Sequence, residues 1–283
     1  MKQRFKDILR VMLGRNVLTY VCFAIILLFI LIAILAPVLT PYTPYEQSLQ
    51  DALTGPSRQY VLGTDNLGRD LLTRLLYGAR ISLVVSLGAS ILAAVVGTLL
   101  GLIAGYCGGV AEQIIMRVTD ALLSIPPLIM NMVLASVVGG DLFGISIVIG
   151  VSLVPTYIRM VNSMVLTLRE NDYIVAARLI GLPAWKILLF HLLPNCFAPL
   201  IVVFTMNLGQ AIMLEANLSF LGIGITAPTP AWGSMVSEGF SYLILEPRLA
   251  VLPGLCVVLV VVAFNIVGDA LRDALDPRLR GKL

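Results

Sequence analysis

The side chains best suited to chemistry in this chain lie in one polar stretch between two apolar runs, residues 175–195, VAARLIGLPAWKILLFHLLPN. The stretch holds Arg178, Trp185, Lys186 and the single histidine of the chain, His191. Such side chains form hydrogen bonds and cation–π contacts with another surface. One histidine with no accompanying catalytic motif gives no basis for hydrolysis. The stretch therefore indicates a docking surface rather than a catalytic centre, and on the residues alone a plain interfacial connector is the alternative.

Other reactive groupings are missing from the sequence. A single histidine excludes HExxH, and neither GxSxG nor GxxxxGK[ST] occurs. The cysteines Cys22, Cys107, Cys196 and Cys256 form no CxxC pair and lie in or beside apolar runs, which is typical of inert buried thiols. We expect no catalytic residue, no metal site and no cofactor on this chain. If it uses ATP, another chain must bind the nucleotide.

The composition identifies the elements that must position this stretch. Hydrophobic residues make up 59% of the 283 residues and charged residues only 12%, against about 25% charged residues in soluble domains. This indicates an integral membrane protein. The formal net charge of +3 is too small to suggest nucleic acid as a partner.

Six charge-free runs approach or exceed the length of about 20 residues that a helix needs to cross a bilayer. They are 17–39, 81–110, 121–140, 142–158, 192–214 and 249–268. The first is too long for the apolar part of a signal peptide, so we expect an uncleaved span. The second is overlong, and Gly105, Gly108 and Gly109 are expected to end its helix early. The fourth is short and would borrow Asp141 or Arg159 at its ends.

The positive charges predict the orientation of these spans. With the N-terminus inside, fourteen Lys and Arg residues lie on the inner side and five on the outer side. Both termini are therefore expected in the cytoplasm, with tails at 1–16 and 273–283. The stretch 175–195 is expected on the same side.

The long outer loop, 40–80, carries an amphipathic pattern near its end. One helical stripe holds Leu71, Leu72, Leu75, Leu76 and Ala79, and the polar residues Arg69, Asp70 and Arg74 lie opposite it. Asn66 is placed to cap the helix, and Asp70 lies four residues before Arg74. This predicts a helix lying on the outer membrane interface. It serves either as an ordinary connector or in gating. The last outer loop, LSFLGIGITAPTPAWGSM, is apolar but rich in Gly and Pro, so it must pack in protein or line a cavity.

Few polar groups lie inside the predicted spans. Asp120 and Glu215 lie near span ends, which favours helix-end or packing roles. Pro126 and Pro127 must distort the third span, because each removes a backbone donor. Asn131, Asn162 and Asn207 either line a path or join helices. The candidate path residues are Pro126, Pro127, Asn131, Asn207 and Glu215.

The stretch after the fourth span predicts a helix–turn–helix elbow of about twenty residues. Asn171 or Asp172 can cap a first helix that runs through Ile180. Gly181 then occupies the left-handed position after the helix, and Pro183 the first position of a second helix. Pro194 ends that second helix or redirects it into the fifth span.

The elbow resembles the signature loop of ATP-binding-cassette importer permeases, and specifically the dipeptide, oligopeptide and nickel permease family in its second-permease type. The matching pattern is A-A-x-x-x-G followed by H-x-x-P-N. Further similar segments are LGTDNLGRDLLTRLLYGARISL, DALLSIPPLI, LSFLGIGITAPTPAWG and GDALRDALDPRLRG, in the family's order from about residue 60 onward. The resemblance implies an all-α, six-span type I importer permease fold, with a transmembrane type-1 domain over 81–272.

The resemblance also assigns roles within the coupling loop, about 163–191. Ala176, Ala177 and Gly181 take the Ala-Ala and Gly positions of the signature, and His191, Pro194 and Asn195 take its end. Arg178, Pro183 and Trp185 lie between these positions. A Glu commonly precedes the Ala pair, but Val175 stands there, and Glu170 or Asp172 is a partial substitute. For His191 a structural role at the start of the fifth span is favoured over proton handling.

In such permeases the elbow rests on a cytosolic ATPase and transmits its motion, so that spans three to six reorient and the path opens to alternate sides. The partners implied are a second, related permease chain, two ATPase subunits that hold ATP and Mg²⁺, and an extracytoplasmic binding protein. The substrate class implied is di- or oligopeptides, with nickel or a metal chelate as the alternative. An ion-gradient-driven secondary transporter is a rival of another class, although it predicts midplane ionisable residues and an inverted repeat, which the sequence does not display.

Overall fold

The structure, a computed structural model, describes residues 17–275. The predicted tail 1–16 and most of the predicted tail 273–283 lie outside the described residues. The chain crosses repeatedly between two sides. We call the side holding residues 40–70 and 221–247 the loop side, and the side holding residues 171–183 the elbow side.

The described residues form helices joined by turns, in agreement with the all-α prediction. In chain order they are α1 Val17–Leu39, α2 Leu71–Cys107, α3 Gly109–Leu123, α4 Pro127–Val138, α5 Leu142–Leu168, α6 Asp172–Leu179, α7 Ala184–Phe220, α8 Trp232–Phe240 and α9 Arg248–Leu275. Helices α1, α2, α5, α7 and α9 are each long and apolar enough to cross a membrane. The pair α3–α4 supplies a sixth crossing if it is counted as one broken span.

Helix α2 corrects the prediction of a separate interfacial helix in the loop 40–80. It begins at Leu71 and continues without a break to Cys107. Asp70 caps it, not Asn66, since the Asp70 carboxylate accepts from the backbone N–H of Thr73 at 2.7 Å. The predicted stripe was right about Leu71, Leu75 and Ala79, which are buried. They pack in the bundle core instead of dipping into lipid, because the helix has the neighbouring spans as partners.

The elbow-side part of α2 packs closely against α5 through small residues. A Cβ added to Gly97, Gly101 or Gly105 would come within 2.5–2.8 Å of side-chain carbons on α5. Glycine at every fourth position lets two backbones approach closely, which is a common device for packing helices in membranes. Gly105 therefore lies inside the helix and does not end it, contrary to the prediction. The end comes at Gly108, whose φ of +66° suits glycine.

The third predicted span is two helices rather than one kinked helix. Helices α3 and α4 meet at 96°. Pro126 is the N-cap of α4 and Pro127 occupies its first turn. A proline at the start of a helix sacrifices no hydrogen bond, whereas the same pair inside a helix would lose two donors and crowd the preceding turn. The proline pair therefore starts a new helix in a new direction.

Helices α5, α7 and α9 are longer than their apolar runs. Asp141 caps α5 through the N–H of Gly144 at 3.3 Å, as the short fourth run required. The loop 221–231 packs in protein over part of its length, as its composition predicted: Ile225 and Ala231 are buried, and the N–H of Ile225 donates to the Ser219 hydroxyl at 3.0 Å. Residues 226–228 are exposed. Glycine allows the close approach, because a Cβ on Gly224 would meet the backbone N of Ser219 at 2.5 Å.

Candidate functional site

The elbow begins with the short helix α6, which ends in the predicted left-handed turn. Gly181 has φ +78°. Its N–H donates to the carbonyl of Arg178 at 3.0 Å, and the N–H of Leu182 donates to the carbonyl of Ala177 at 3.1 Å. These two bonds are the Schellman motif, which satisfies the last free carbonyls of a helix. The turn is therefore specified locally by glycine.

The second arm of the elbow differs from the prediction in two details. Pro183 is extended and is the N-cap of the next helix, so this helix begins at Ala184, one residue later than predicted. Pro194 does not end that arm. Residues Ile187–Leu192 form a π turn, and the chain continues through Pro194 as one helix to Phe220. A π turn widens the helix where the proline ring would otherwise collide with a carbonyl one turn earlier.

One face of the elbow is packed against the spans. Ile174 and Ile187 are fully buried and Ala177 is 5% exposed. They share a core cluster with Leu102 of α2 and Val165 of α5. The elbow is therefore seated on the elbow-side ends of α2 and α5, so that a push on it reaches two long helices directly.

Two polar contacts hold the elbow in shape. The Asn195 side-chain amide donates to the carbonyl of His191 at 2.6 Å and to the hydroxyl of Tyr173 at 3.4 Å, which links the two arms. The Arg178 guanidinium lies over the ring of Tyr106, 4.6 Å from its centroid. Arg178 and Asn195 thus make internal contacts. No side-chain hydrogen bond of His191 occurs among residues 17–275.

The opposite face of the elbow is apolar and open. Leu179 is 83% exposed and Ile180 is 77% exposed. Trp185 and Phe190 continue this surface, and their rings meet edge to face at 6.2 Å. Ala176, Val175 and the acidic residues Glu170 and Asp172 are exposed beside it. Large aliphatic side chains this exposed, rimmed by charges, are typical of protein–protein interfaces.

The candidate path residues are placed apart from the elbow, within the bundle. Asn131 on α4 and Asn207 on α7 are almost fully buried. Neither the oxygen nor the nitrogen of the Asn131 side chain has a hydrogen-bond partner within residues 17–275. The Asn207 side chain faces the Tyr157 hydroxyl. Buried polar groups are nearly always paired. Pro126 and Pro127 are exposed at the break between α3 and α4.

Glu215 has a different environment from the asparagines. It is fully buried near the loop-side end of α7, and its two oxygens accept from the hydroxyls of Ser82 and Ser219, each at 2.8 Å. Ser219 in turn accepts from Ile225. This chain of bonds joins α2, α7 and the loop 221–231, which favours bracing over lining a path.

The most extensive polar structure was missed by sequence reasoning. Asp65, Arg69, Arg74 and Glu238 form a cluster on the loop side, which we call the loop-side ion cluster. Arg69 contacts Asp65 at 2.6 Å and Glu238 at 2.7 Å, and Arg74 contacts the same two carboxylates at 2.9 and 3.2 Å. Both arginine side chains are at most 2% exposed. Burial raises the pKa of Glu238, against the opposing pull of Arg69.

A further arginine, Arg248, joins the loop to α9 beside this cluster. Arg248, at the start of α9, donates to the carbonyls of Leu62 and Thr54 at 3.0 and 2.9 Å. The pattern predicted Arg69 and Arg74 on the polar face of an interfacial helix, and Arg74 was matched with Asp70. The sequence offered one signal for this cluster, because two arginines beside an apolar run need anionic partners. It did not identify the partner, since Glu238 lies more than 160 residues away along the chain.

The remaining charged contact of a predicted residue is exposed. Asp120 on α3 pairs with Arg159 on α5 at 2.8 Å, with both side chains about half exposed. This fits the helix-end role expected for Asp120. Within residues 17–275 no group of three or more His, Cys, Asp and Glu side chains is arranged to hold a metal ion.

Comparison with known proteins identifies the family. The sequence pattern of the binding-protein-dependent transport system inner membrane component matches residues 97–281, and that of the N-terminal transmembrane domain of oligopeptide transport permease C matches residues 4–56. This chain belongs to the binding-protein-dependent importer permeases. It is a multi-pass protein of the bacterial inner membrane, and it is a transport subunit rather than an enzyme.

Individual relatives of this permease cover most of its length. A dipeptide transport system permease protein from Alkalihalophilus pseudofirmus is 42% identical, over 95% of this chain and 88% of the relative. One from Haemophilus influenzae is 40% identical, over 90% and 88%. A glutathione transport system permease protein from an Escherichia coli strain is also 40% identical, over 90% and 85%.

The fold of the permease is shared with a solved structure of low sequence identity. An inward-facing conformation of the MetNI methionine ABC transporter matches with a TM-score of 0.59 at 18% identity, covering 73% of this chain and 98% of that one. At this identity the likeness shows the fold alone. It confirms the predicted type I importer permease architecture.

Proposed function

We propose that this permease forms half of the translocation path of an ATP-driven importer of short peptides. Relatives at about 40% identity are named for dipeptide and for glutathione transport, and glutathione is itself a small peptide. The shared chemistry is a compact chain with amide groups and charged ends. Membership of a binding-protein-dependent family disfavours the ion-gradient alternative, and nothing in the named relatives favours nickel or a metal chelate.

The observation that carries the proposal is the two-faced elbow. Its inner face, with Ile174, Ala177 and Ile187, is buried against α2 and α5, whereas Leu179 and Ile180 project outward. This arrangement suits a lever that receives force on one face and passes it to long helices through the other. The partner is a cytosolic ATPase subunit, which binds ATP and Mg²⁺ and supplies the groove for the apolar face.

The topology of the complex follows from this assignment. The elbow side faces the cytoplasm together with both termini. This orientation agrees with the positive-charge count, which gives fourteen Lys and Arg residues on that side and five on the other. A binding protein delivers substrate to the loop side. A second, related permease chain completes the path, and a second ATPase subunit docks on its elbow.

The path passes close to the buried amides. The Asn131 side chain carries two polar atoms without partners inside the described chain. Such atoms acquire partners from water, substrate or the second permease chain. Because α4 is a separate helix hinged at Pro126 and Pro127, it can tilt without bending α3, which provides a means of exposing Asn131 to alternate sides.

The coupling role is tested by charging the apolar face. Leu179→Glu, with or without Ile180→Glu, places a carboxylate in the ATPase groove while leaving the packed face intact. The control is Val110→Glu, another aliphatic residue that is 72% exposed on the elbow side but lies outside the elbow. The complete transporter, in proteoliposomes, is assayed for peptide uptake and ATP hydrolysis. We expect Leu179→Glu to lower uptake at least tenfold and Val110→Glu to leave it within about twofold. Equal effects of the two variants would refute docking through this face.

The substrate class is tested separately. A labelled dipeptide, glutathione and a nickel–histidine complex are offered in turn to the same proteoliposomes with the transporter's own binding protein. Uptake of either peptide, with no uptake of the nickel complex, supports the proposal. Uptake of the metal complex alone would overturn it and leave the coupling result unaffected.

A further inference from the structure

Helix α2 carries two arginines, Arg74 and Arg80, and only Arg74 has an anionic partner within residues 17–275. Arg74 is buried between Asp65 and Glu238. The side chain of Arg80, six residues later, is exposed and makes no ion pair or hydrogen bond within residues 17–275. Arg80 therefore presents a guanidinium that an anion from outside these residues can pair with.

The depth of Arg80 is set by the length of α2. From Arg80 to Tyr106 the helix rises about 39 Å at about 1.5 Å per residue. Tyr106 lies under Arg178, and Gly105 receives Arg169 at 2.9 Å, so this end marks the elbow-side interface. A bilayer measures about 40–45 Å including its headgroups. Arg80 is consequently placed at the level of the phosphates in the loop-side leaflet.

A cavity of about 430 Å³ opens beside Arg80, between α1, α2, α7 and α9. Apart from Arg80 and Ser86 its walls are aliphatic or aromatic. Its lining includes the exposed side chains of Ile34 and Val84 and the buried side chain of Phe264. The Ser86 hydroxyl is occupied by the carbonyl of Leu83 at 3.0 Å.

The first helix makes this cavity accessible from the bilayer. Only 22% of the apolar window of α1 is buried within the chain, the same share as in α7 and well below the 61% of α5. Helix α1 therefore stands at the edge of the bundle, and the groove between α1 and α2 opens toward lipid. Its form is an apolar trough with one cation at its headgroup end.

We propose that this groove binds one anionic phospholipid of the loop-side leaflet, with its phosphate on Arg80 and an acyl chain along Ile34 and Val84. The charge and the apolar surface stand in the order in which a lipid presents its phosphate and its chain. A soluble anion would use only the guanidinium and leave the trough empty. The lipid joins α1 to the α2–α7–α9 body, where protein contacts alone leave a gap.

The test measures the lipid retained by the intact protein. The full-length chain is expressed together with the other subunits of its transporter, loaded with phosphatidylglycerol, washed in mild detergent and weighed by native mass spectrometry. We expect one retained phosphatidylglycerol per permease, and weaker retention of phosphatidylethanolamine. Arg80→Gln should lower retention about fivefold, the factor that one arginine near an anionic lipid surface contributes.

Two further variants separate the parts of the site. Val84→Phe fills the trough without changing charge, and it alters a side chain that is already 54% exposed, so folding is preserved; we expect a loss of retention comparable to that of Arg80→Gln. Arg58→Gln removes an exposed loop-side arginine remote from the cavity and should retain lipid as the wild type does. Equal retention by Arg80→Gln and Arg58→Gln would overturn the proposal. So would a wild-type complex that loses all lipid, because a neighbouring chain would then cover the groove.

Discussion

The two ends of the bundle contain the same backbone motif in opposite surroundings. Gly181 on the elbow side has φ +78° and Gly222 on the loop side has φ +76°. In each case the glycine N–H donates to a carbonyl three residues back, and the following residue closes the outer bond of a Schellman motif. After Gly222 the chain turns inward, and Ile225 is buried. After Gly181 it runs over the surface, and Trp185 is 54% exposed.

The charges differ in the same way. On the loop side, two arginines and two carboxylates are paired within the chain and shielded from solvent. The pair Arg159–Asp120, which joins α5 to α3, has both side chains about half exposed. A buried ion pair is costly to form and costlier to break, whereas an exposed one contributes little. The loop-side ion cluster is therefore completed within the chain, whereas the elbow keeps the apolar side chains of Leu179 and Ile180 exposed.

We expect the largest difference between variants when one carboxylate is removed from the loop-side ion cluster and one from the Arg159–Asp120 pair. Asp65→Ala should lower the free energy of unfolding by about 3–5 kcal/mol, since Arg69 and Arg74 both lose a buried partner. The backbone N–H groups of Leu67 and Arg69 also lose their acceptor. Asp120→Ala should cost less than about 1 kcal/mol. Thermal or detergent-induced unfolding of the purified variants measures both, and comparable losses would contradict the distinction between the two sides.

The second comparison uses the matched glycines. Gly181→Pro and Gly222→Pro impose the same backbone conflict, because proline requires φ near −65° and removes one N–H. We expect Gly181→Pro to leave the protein in the membrane while lowering uptake per ATP hydrolysed at least tenfold. Gly222→Pro should leave that ratio unchanged, even where it lowers stability. Uptake and ATP hydrolysis are followed together in vesicles, and normal uptake by Gly181→Pro would count against the elbow as the coupling element.

The smallest effect is expected from loosening the elbow without changing its surface. Asn195→Ala removes the hydrogen bonds to Tyr173 and to the His191 carbonyl. An exposed hydrogen bond contributes about 0.5–1.5 kcal/mol, so amides of Asp172–Leu179 should exchange about two- to tenfold faster with deuterium. Ser124→Ala, which removes an exposed hydroxyl contact on α3, is the control. Unchanged exchange in Asn195→Ala would show that the elbow is held by its apolar face alone.

Much of the fold could be read from patterns that act over short distances. The run 17–39 matches the bounds of α1, and Asp141 caps α5 as its short run required. Gly181 forms the turn of the elbow because only the adjacent residues and its own lack of a Cβ decide that geometry. The last outer loop is apolar and rich in Gly and Pro, and this composition likewise predicted that it would pack in protein or line a cavity.

Other features depended on partners that are distant in sequence. Arg69 and Arg74 looked like the polar face of an interfacial helix, and they became the centre of a buried cluster only because Glu238 lies opposite. For Glu215 the sequence favoured a helix-end or packing role and kept it among the candidate path residues. Its partners Ser82 and Ser219, which make it a brace, appear only in the fold. The sequence thus determined where the chain is apolar and where it turns, since these follow from solvation and from hydrogen bonds within a few residues. The tertiary structure alone decided which charges are paired and which surface stays open, because pairing depends on helices that meet only in the folded bundle.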